Sequence, residues 1–450
     1  MELTNEVLKE YCKRSFYNFL RLCWNQVESA PFIDNWHIRM VCDELQERFM
    51  TQYTYSKLMN DNKLYDLLLN LPPGSTKSMI ISVFFPAWCW IIKPSTRLIT
   101  VSYSYKIAEE LSSKSLRLLQ SELYQSLVLF KLTSQAASNI KNSKRGQRFV
   151  TSTSGTVTGM HADVIIVDDG NSPQAIYSEA SREEARKFVL EILPSRKTDI
   201  KKSFTIYVQQ RLHDEDVTGI ILKTKSRIKH IVVPAINEEG NSFYPDRFPL
   251  EYLNNLREQL GTSSFMAQYM QQTVTIDGGI IKKSWIRNEY VPFNRNICYF
   301  IDSAYGGKDA DCNSILGAYK ADNNLYVHSL ELNQMEFPEL INWLKQNIAS
   351  NAKIYIEGKA SGKSIIQTLK RETSFNIIEI QPKGSKLERK HACSPFFESG
   401  RVIINTEINY KAKLIEQLIF DQVKNDDALD TVMYAIETLL KTNKGTYNIK

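Results

Sequence analysis

The sequence predicts an α/β protein with two domains, each built around its own β-sheet. A chain of 450 residues, 43% of them hydrophobic, is longer than one ordinary core supports. Apolar strand-like runs alternate with helical patterns from about residue 61, which is typical of a mainly parallel sheet. A second set of strands begins near Asn296. We therefore predict a helical N-terminal subdomain at 1–60, a parallel-sheet domain at 61–275, a linker at 276–295 and a mixed α/β domain at 296–450.

Composition limits the classes of function without choosing between them. The net charge of +6 is compatible with nucleic-acid binding and equally with an ordinary soluble protein. The seven cysteines form no C-x-x-C pair and the six histidines no ligand-spaced cluster, which favours a reducing compartment and no zinc site. The longest apolar run, 79–92, is interrupted by Pro86 and too short to cross a bilayer. We expect no signal peptide and no membrane anchor.

The N-terminal segment from about Glu6 to Phe49 has a helical pattern. Asp34 is the candidate N-cap of the helix that begins at Trp36. We interpret this segment as a lid, or as the subdomain that faces the adenine of a nucleotide.

The stretch Leu67–Ile81 predicts a strand, a phosphate-binding loop and a helix. In such a loop, backbone N–H groups cradle phosphates, a lysine meets the outer phosphates and the following hydroxyl binds magnesium. Lys77 and Ser78 would have these roles, with a loop backbone from Pro73, Gly74, Ser75 and Thr76. The complete motif has glycine where Leu71 and Thr76 stand, so an ordinary strand-to-helix turn is the alternative.

The run Ala162–Asp169 predicts a second buried strand, which ends in two carboxylates. In phosphate-loop enzymes the first acid positions magnesium and a neighbouring acid polarises the attacking water. We assign these roles to Asp168 and Asp169; the alternative is a polar turn. The next strand, 203–208, leads to Arg211, the candidate sensor of the outer phosphate or arginine finger.

These motifs, in this order, resemble the large terminase subunit of tailed bacteriophages, the ATP-driven motor that packs DNA into empty heads. The resemblance rests on Leu71–Ser78, Ser102–Ala108, Gly155–Asp169 and the coupling segment Gln210–Asp216. Many members carry arginine in the loop and glutamate after the magnesium aspartate, where this chain has Gly74 and Asp169. The shorter acid leaves open which residue activates the water.

The C-terminal region predicts three antiparallel strands followed by alternating helices and strands. The strands are 297–302, 314–319 and 325–330, with a hairpin at Asn323-Asn324, then a helix at 338–349, a strand at 353–357 and a last helix opening at Asp426. This is a ribonuclease H-like arrangement, which terminase nuclease domains share.

Acids stand at the ends of these elements, as metal-dependent phosphodiester cleavage requires. Paired divalent ions about 3.5–4 Å apart activate water and stabilise the leaving oxygen, so carboxylates must converge from separate elements. We predict Asp302, Glu357, Asp427 and Asp430 as ligands of Mg²⁺ or Mn²⁺. Asp427 and Asp430 share one helix face, Asp426 is the candidate N-cap and Asp311 an accessory acid. Each alone could instead be a cap or turn residue.

Three further segments have two interpretations. Residues 357–364 imitate a phosphate loop, but no later strand ends in an acid pair, so we place Lys359 and Lys363 near substrate phosphates instead. The basic runs 141–148 and 383–390 are either solvated surfaces or contacts to a DNA backbone.

The resemblance implies an ATPase that translocates double-stranded DNA and a nuclease that cuts the concatemer. It implies ATP and Mg²⁺ as cofactors, and a portal protein and a small terminase subunit as partners. It also implies a homo-oligomeric ring on the prohead, in the cytoplasm of an infected bacterium. The alternatives are a helicase-nuclease of DNA repair, which would unwind strands, and a non-catalytic DNA-binding scaffold, which would neither hydrolyse nor cut.

Overall fold

The computed structural model describes residues 5–52, 65–225, 227–273, 279–303, 312–359, 361–420 and 427–441. The chain divides into two compact units. The first comprises Met1–Arg257 and Ser263–Val274, and the second Glu258–Thr262 and Thr275–Lys450. The described residues form two sheets, of eight and seven strands, so the predicted α/β class is confirmed.

The first sheet is mainly parallel. Its strands are β1 (Asp66–Asn70), β2 (Arg97–Ser102), β3 (Leu132–Ala136), β4 (Asn139–Asn142), β5 (Gln147–Ser152), β6 (Val164–Asp168), β7 (Phe204–Gln209) and β8 (Ile228–Val232). They lie in the order β3-β4-β5-β2-β6-β7-β1-β8. The six strands from β5 to β8 run parallel, and β3 and β4 add an antiparallel edge.

Ten helices accompany this sheet in the described part of the chain. They are α1 (Asn5–Arg14), α2 (Phe16–Cys23), α3 (Trp36–Met50), α4 (Phe85–Ile92), α5 (Tyr105–Gln120), α6 (Glu122–Leu127), α7 (Glu179–Lys187), α8 (Val217–Thr224), α9 (Leu250–Leu260) and α10 (Thr262–Gln268). Every residue of β1, β6 and β7 is buried, which explains why these strands are continuous apolar runs. Because the three strands are parallel neighbours, their C-terminal ends lie at one edge of the sheet.

The second sheet has strands β9 (Arg287–Glu289), β10 (Cys298–Asp302), β11 (Asn313–Ala321), β12 (Asn324–Asn333), β13 (Lys353–Glu357), β14 (Asn376–Ile380) and β15 (Val402–Asn405). Their order is β14-β13-β10-β11-β12-β15-β9. Strands β10, β11 and β12 are antiparallel and β13 is parallel to β10, as the sequence predicts. The hairpin turns at Asp322 and Asn323, with φ of 46° and 62°, one residue earlier than predicted.

Helices of the second unit pack against this sheet. They are α11 (Phe337–Asn347), α12 (Ser361–Glu372), α13 (Lys386–Glu398), α14 (Lys411–Ile419) and α15 (Asp427–Ala435). Successive residues of β10 enter different cores: Phe300 joins the cluster that contains α15, and Ile301 the cluster that contains α11. None of the helices in the described residues is long and apolar enough to span a membrane.

One local prediction is wrong and another holds in part. The N-cap of α3 is Asn35, whose side chain accepts from the N–H of Trp36, whereas Asp34 accepts a hydrogen bond from the Tyr17 hydroxyl. In the basic run 141–148, residues 141 and 143–145 are exposed, whereas Arg148 lies on β5 and is 1% exposed; contact with DNA stays a prediction. Asp311 and Asp426 lie outside the described residues.

Candidate functional site

The predicted phosphate loop connects β1 to a helix that begins with a π-helical segment, Met79–Phe84. Gly74 has φ of +74°, and a Cβ there would stand 2.8 Å from Cζ of Phe248, so this position requires glycine. Thr76 also has a positive φ, of 67°. These two left-handed residues turn the chain sharply, and the N–H of Ser75 donates to the carbonyl of Pro72. Lys77 is 6% exposed.

The structure brings this loop to the acidic strand. Ser78 Oγ donates to Oδ1 of Asp168 over 3.0 Å, and Ser82 Oγ donates to Oδ2 over 2.7 Å. Nζ of Lys77 lies 3.6 Å from Oδ2 of Asp169. The four predicted residues of this site are thus adjacent, and Ser82, one helical turn beyond Ser78, is a contact that the motif alone did not indicate.

Asp168 and Asp169 have different surroundings. Burial and the charge of Asp169 raise the pKa of Asp168, against hydrogen bonds from Ser82 and Ser78 and the charge of Lys77. Asp169 has φ of 49°, and its Oδ1 is buried without a hydrogen-bond partner among the described residues. Strained backbone and an unsatisfied buried oxygen are common where a ligand or water completes a site. Oxygen donors of this kind fit Mg²⁺.

A cleft of about 430 Å³ opens beside the phosphate loop. Its lining includes Gly74, Thr76, Lys77 and Ser78 from the loop, apolar side chains of Trp24, Phe32 and Ile33, and the cations Lys114 and Arg247. The N-terminal segment thus supplies an apolar wall of this cleft. Phe32, Ile33 and Arg247 were missed, because isolated residues in irregular segments carry no motif.

His37 of α3 contacts the backbone of the phosphate loop. Its Nε2 donates to the carbonyl of Ser75 over 3.0 Å, and its ring packs on Phe243 and Tyr244. Burial lowers the pKa of His37 to about 4, partly offset by the hydrogen bond to Ser75. His37 is therefore neutral, with the proton on Nε2.

Arg211 follows β7 as predicted, but it is not among the residues that line the cleft. Its Nε donates to Oδ2 of Asp216 over 3.0 Å, and its backbone N–H donates to Gln271. Asp216 is fully buried and caps α8 through the N–H of Gly219. Arg211 thus joins the end of β7 to α8 and to the segment after α10. The arginine that lines the cleft is Arg247 rather than Arg211.

The second unit brings its four predicted acids together. Asp302 ends β10 and Glu357 ends β13, two parallel neighbours, and Asp427 and Asp430 lie in the first turn of α15. Burial and the nearby charges of Asp430, Glu357 and Asp427 raise the pKa of Asp302 to about 7. Carboxylates that influence one another in this way lie in one region, and carboxylate oxygens are the type of ligand that Mg²⁺ or Mn²⁺ prefers.

Two of these carboxylates, Asp430 and Glu357, are bound by cations and by a tyrosine hydroxyl. Oδ2 of Asp430 lies 2.5 Å from Nζ of Lys386, and Oδ1 lies 2.7 Å from Nη2 of Arg389. Glu357 is bound by Lys359 at 2.8 Å and by the Tyr434 hydroxyl at 2.8 Å. Burial alone would raise the pKa of Glu357, but these two hydrogen bonds lower it. Within the described ranges, no three His, Cys, Asp or Glu side chains are arranged to hold a metal ion.

The basic run 383–390 is solvated only in part: residues 383–385 are exposed, whereas the later cations contact the protein, and contact with DNA stays a prediction. Ser385 caps α13, which begins at Lys386 and directs Lys386 and Arg389 at Asp430. Lys390 is 2% exposed and donates to the carbonyls of Gln417 and Phe420. Lys363 is exposed on α12, whereas Lys359 pairs with Glu357. The sequence did not indicate three further residues of this region, Lys386, Arg389 and Tyr434. Their contacts depend on the packing of elements that are distant in sequence.

Comparison with known proteins agrees with this architecture. Residues 301–439 match the family model described as the terminase RNaseH-like domain. The large terminase of the thermophilic bacteriophage D6E, in complex with ADP, aligns with a TM-score of 0.50 and 10% identity, over 88% of this chain and 98% of that chain. The HK97 bacteriophage large terminase aligns with a TM-score of 0.38 and 11% identity, over 95% of this chain and 99% of that chain.

A search of curated proteins found no match. The family model nevertheless covers most of the second unit, and the D6E structure shares the fold over 88% of this chain. The chain is thus confirmed to resemble the large terminase subunit of bacteriophages, with a C-terminal region that matches the terminase RNase H-like family.

Proposed function

We propose that this chain is the large subunit of a viral DNA-packaging terminase. Its first unit hydrolyses ATP to translocate double-stranded DNA, and its second cuts the concatemer. The observation that carries this proposal is the contact of Lys77 and Ser78 with Asp169 and Asp168, beside a cleft of nucleotide size. The second acid site, in a region that matches the terminase RNaseH-like model, supports the nuclease. The D6E terminase, which shares the fold, is described with bound ADP.

In the ATPase unit, the backbone of residues 73–78 surrounds the phosphates and Lys77 balances their charge. Ser78 and Asp168 are the residues that would hold Mg²⁺, which neutralises charge on the outer phosphates. Asp169 is already fixed at the site through its backbone, since its N–H donates to Val208 and its carbonyl accepts from Tyr103. Its unsatisfied Oδ1 is suited to accept a hydrogen bond from the attacking water.

We propose that Arg211 couples hydrolysis to movement and that Arg247 can approach the nucleotide. Arg211 would have to leave Asp216 before it could stabilise phosphate charge. Arg247 needs no such exchange, because it already lines the cleft. Arginine charge at a transferring phosphoryl group can be worth about 10³–10⁵ in rate.

In the nuclease unit, Asp302, Glu357, Asp427 and Asp430 would hold two Mg²⁺ or Mn²⁺ ions, which supply the Lewis acid for water attack. Lys386 and Arg389 must then release Asp430, and their charges become available to the DNA phosphates. Portal protein, small terminase subunit and a ring of copies on the prohead, in the cytoplasm of the infected host, complete the proposal.

Separate loss of the two activities tests the ATPase proposal. Lys77→Ala should reduce phosphate release by more than about 100-fold, because the loop loses its only cation, while metal-dependent plasmid cutting persists. The exposed Lys363→Ala is the matched lysine control and should leave phosphate release unchanged. Undiminished turnover by Lys77→Ala would refute the assignment of the loop.

The complementary variant tests the nuclease. Asp302→Ala should abolish plasmid cutting in Mg²⁺ or Mn²⁺ while ATP turnover persists, because a two-metal site with one ligand removed stabilises neither attack nor departure. Wild-type linearisation of plasmid by Asp302→Ala would refute the nuclease assignment. ATP-dependent unwinding of a duplex, with no stimulation by proheads, would favour a helicase-nuclease instead.

A further inference from the structure

Arg148 is a buried cation that the proposed function does not yet use. It lies on β5 and is 1% exposed, and burial lowers the pKa of its guanidinium with no contribution from an acid of the described residues. Its Nη2 donates to the carbonyl of Ser82, whereas Nε and Nη1 are buried without a hydrogen-bond partner in the described chain. A buried, unpaired guanidinium is costly, so its single contact is informative.

The sequence explains why the Ser82 carbonyl needs a side-chain donor. In an α-helix this carbonyl would accept from the N–H four residues later, which here is Pro86, and proline has no N–H. The helix accordingly widens over Met79–Phe84 into a π-helical segment. Arg148 supplies the donor that Pro86 lacks.

The same serine contacts Asp168, the acid proposed to position Mg²⁺. While its carbonyl is held by Arg148, its Oγ donates to Oδ2 of Asp168 over 2.7 Å. Ser78 Oγ contacts the other oxygen over 3.0 Å. Asp168 thus accepts hydrogen bonds from two hydroxyls of one helical segment. The widened turn sets the position of one of them, the Ser82 hydroxyl.

We propose that Arg148 is a positioning residue for the ATPase site, which acts through Ser82 to fix the carboxylate of Asp168. The inference rests on the proposed ATPase function and adds two residues to it. Arg148 is not among the residues that line the cleft; it binds a carbonyl of the widened turn, and that turn carries the Ser82 hydroxyl. Loss of either member should therefore loosen Asp168 and weaken its use of Mg²⁺, while the phosphate loop remains able to bind nucleotide.

The first test removes only the hydroxyl. Ser82→Ala should lower kcat for ATP about 10-fold to 100-fold, the effect of one hydrogen bond to a charged group, and raise the Mg²⁺ concentration needed for half-maximal turnover. Binding of a fluorescent ADP analogue without Mg²⁺ should be unchanged. The control is Ser115→Ala, which removes an equally buried hydroxyl that donates to the neighbouring carbonyl of Val83 over 2.9 Å. That variant should keep wild-type kcat and Mg²⁺ dependence.

The second test restores a donor to the Ser82 carbonyl. Arg148→Met should lower kcat and raise the Mg²⁺ requirement as Ser82→Ala does. Adding Pro86→Ala supplies a backbone N–H four residues after Ser82, so the double variant should recover about 10-fold in kcat relative to Arg148→Met. If Arg148→Met does not fold, thermal unfolding will show it, and the Ser82→Ala result decides alone.

The outcomes separate this inference from the proposed function. If wild-type protein hydrolyses ATP, Lys77→Ala does not, and Ser82→Ala matches wild type in kcat and Mg²⁺ dependence, the positioning inference is refuted and the ATPase stands. If the wild-type protein binds no nucleotide, the proposed function itself fails. Equal losses in Ser82→Ala and Ser115→Ala would also refute the inference, because they would show general packing damage.

Discussion

The two acid sites of this chain satisfy their buried carboxylates in different ways. In the first unit, both oxygens of Asp168 accept from neutral hydroxyls, those of Ser78 and Ser82. In the second, both oxygens of Asp430 are paired with cations, Lys386 and Arg389. Both carboxylates are almost fully buried, with 2% and 5% exposure.

The difference determines what a metal ion must displace. A hydroxyl adds no positive charge, so Asp168 retains its attraction for Mg²⁺ and Ser78 can serve as a further ligand. An ammonium and a guanidinium already neutralise Asp430, and a metal must compete with them. The proposed ATPase site is thus suited to a metal that would arrive with nucleotide, whereas in the proposed nuclease site the side chains of Lys386 and Arg389 already bind Asp430.

The largest contrast should appear in stability. Asp430→Asn leaves Lys386 and Arg389 facing a neutral amide, so the free energy of unfolding should fall by about 3 kcal/mol, as when a buried ion pair loses one partner. Asp168→Asn removes a buried charge whose pKa is raised by burial, and it should leave stability unchanged or higher. Urea unfolding of both variants without metal measures this contrast. Equal losses would contradict it.

The two units should also differ in how much stability they lose at acidic pH. The pKa of His37 is about 4 in the folded chain, below its ordinary value near 6.5, so folding favours the neutral ring. Its stability contribution is present above pH 6.5 and is lost as the pH falls towards 4, by about 2 kcal/mol between pH 7.5 and pH 5.

Hydrogen exchange can assign that loss to the first unit. Amides of β1 and α3 should exchange faster at pH 5, after correction for intrinsic rates, and His37→Gln should reduce the difference. His328, on β12, is the matched histidine in the second unit, and His328→Gln should not alter it. An unchanged acid response in His37→Gln would assign the effect to other groups.

The smallest expected effect concerns metal affinity. Lys386→Met removes one competitor for Asp430, so the Kd for Mn²⁺ without DNA should fall about 10-fold, which corresponds to roughly 1.4 kcal/mol. Calorimetric titration measures this without relying on cleavage. The control is Lys383→Met, an exposed lysine three residues earlier. If Lys386→Met binds Mn²⁺ no more tightly than the control, Lys386 does not hold the site closed.

The elements that could be predicted are those whose signal is local. A buried strand that ends in a loop or an acid is visible in a few consecutive residues, as in Leu67–Ser78 and Ala162–Asp169. The alternation of strands and helices likewise indicates where parallel strands end. Because parallel neighbours share an edge, the sequence could also place Asp302 beside Glu357.

Local signals failed where a neighbour in space decides the outcome. Lys386 and Arg389 belong to a basic run of the kind that can bind DNA. The packing of α13 near α15 instead brings both side chains into ion pairs with Asp430. Arg148 belongs to a basic run, yet the pairing of β5 with β2 buries it against the helical segment that follows the phosphate loop. The exposure of a side chain depends on which other elements pack over it. The sequence of a basic run does not contain this information.

The sequence by itself therefore determined the fold class, the two acid-bearing sheets and the identity of the residues at their strand ends. These follow from periodicity and from contiguous motifs, which backbone geometry converts directly into placement. The tertiary structure alone decided which groups satisfy each carboxylate: hydroxyls at Asp168, and cations at Asp430. The physical reason is that the charge balance of a buried acid is set by long-range packing, since a few ångströms decide whether a distant lysine or serine reaches it.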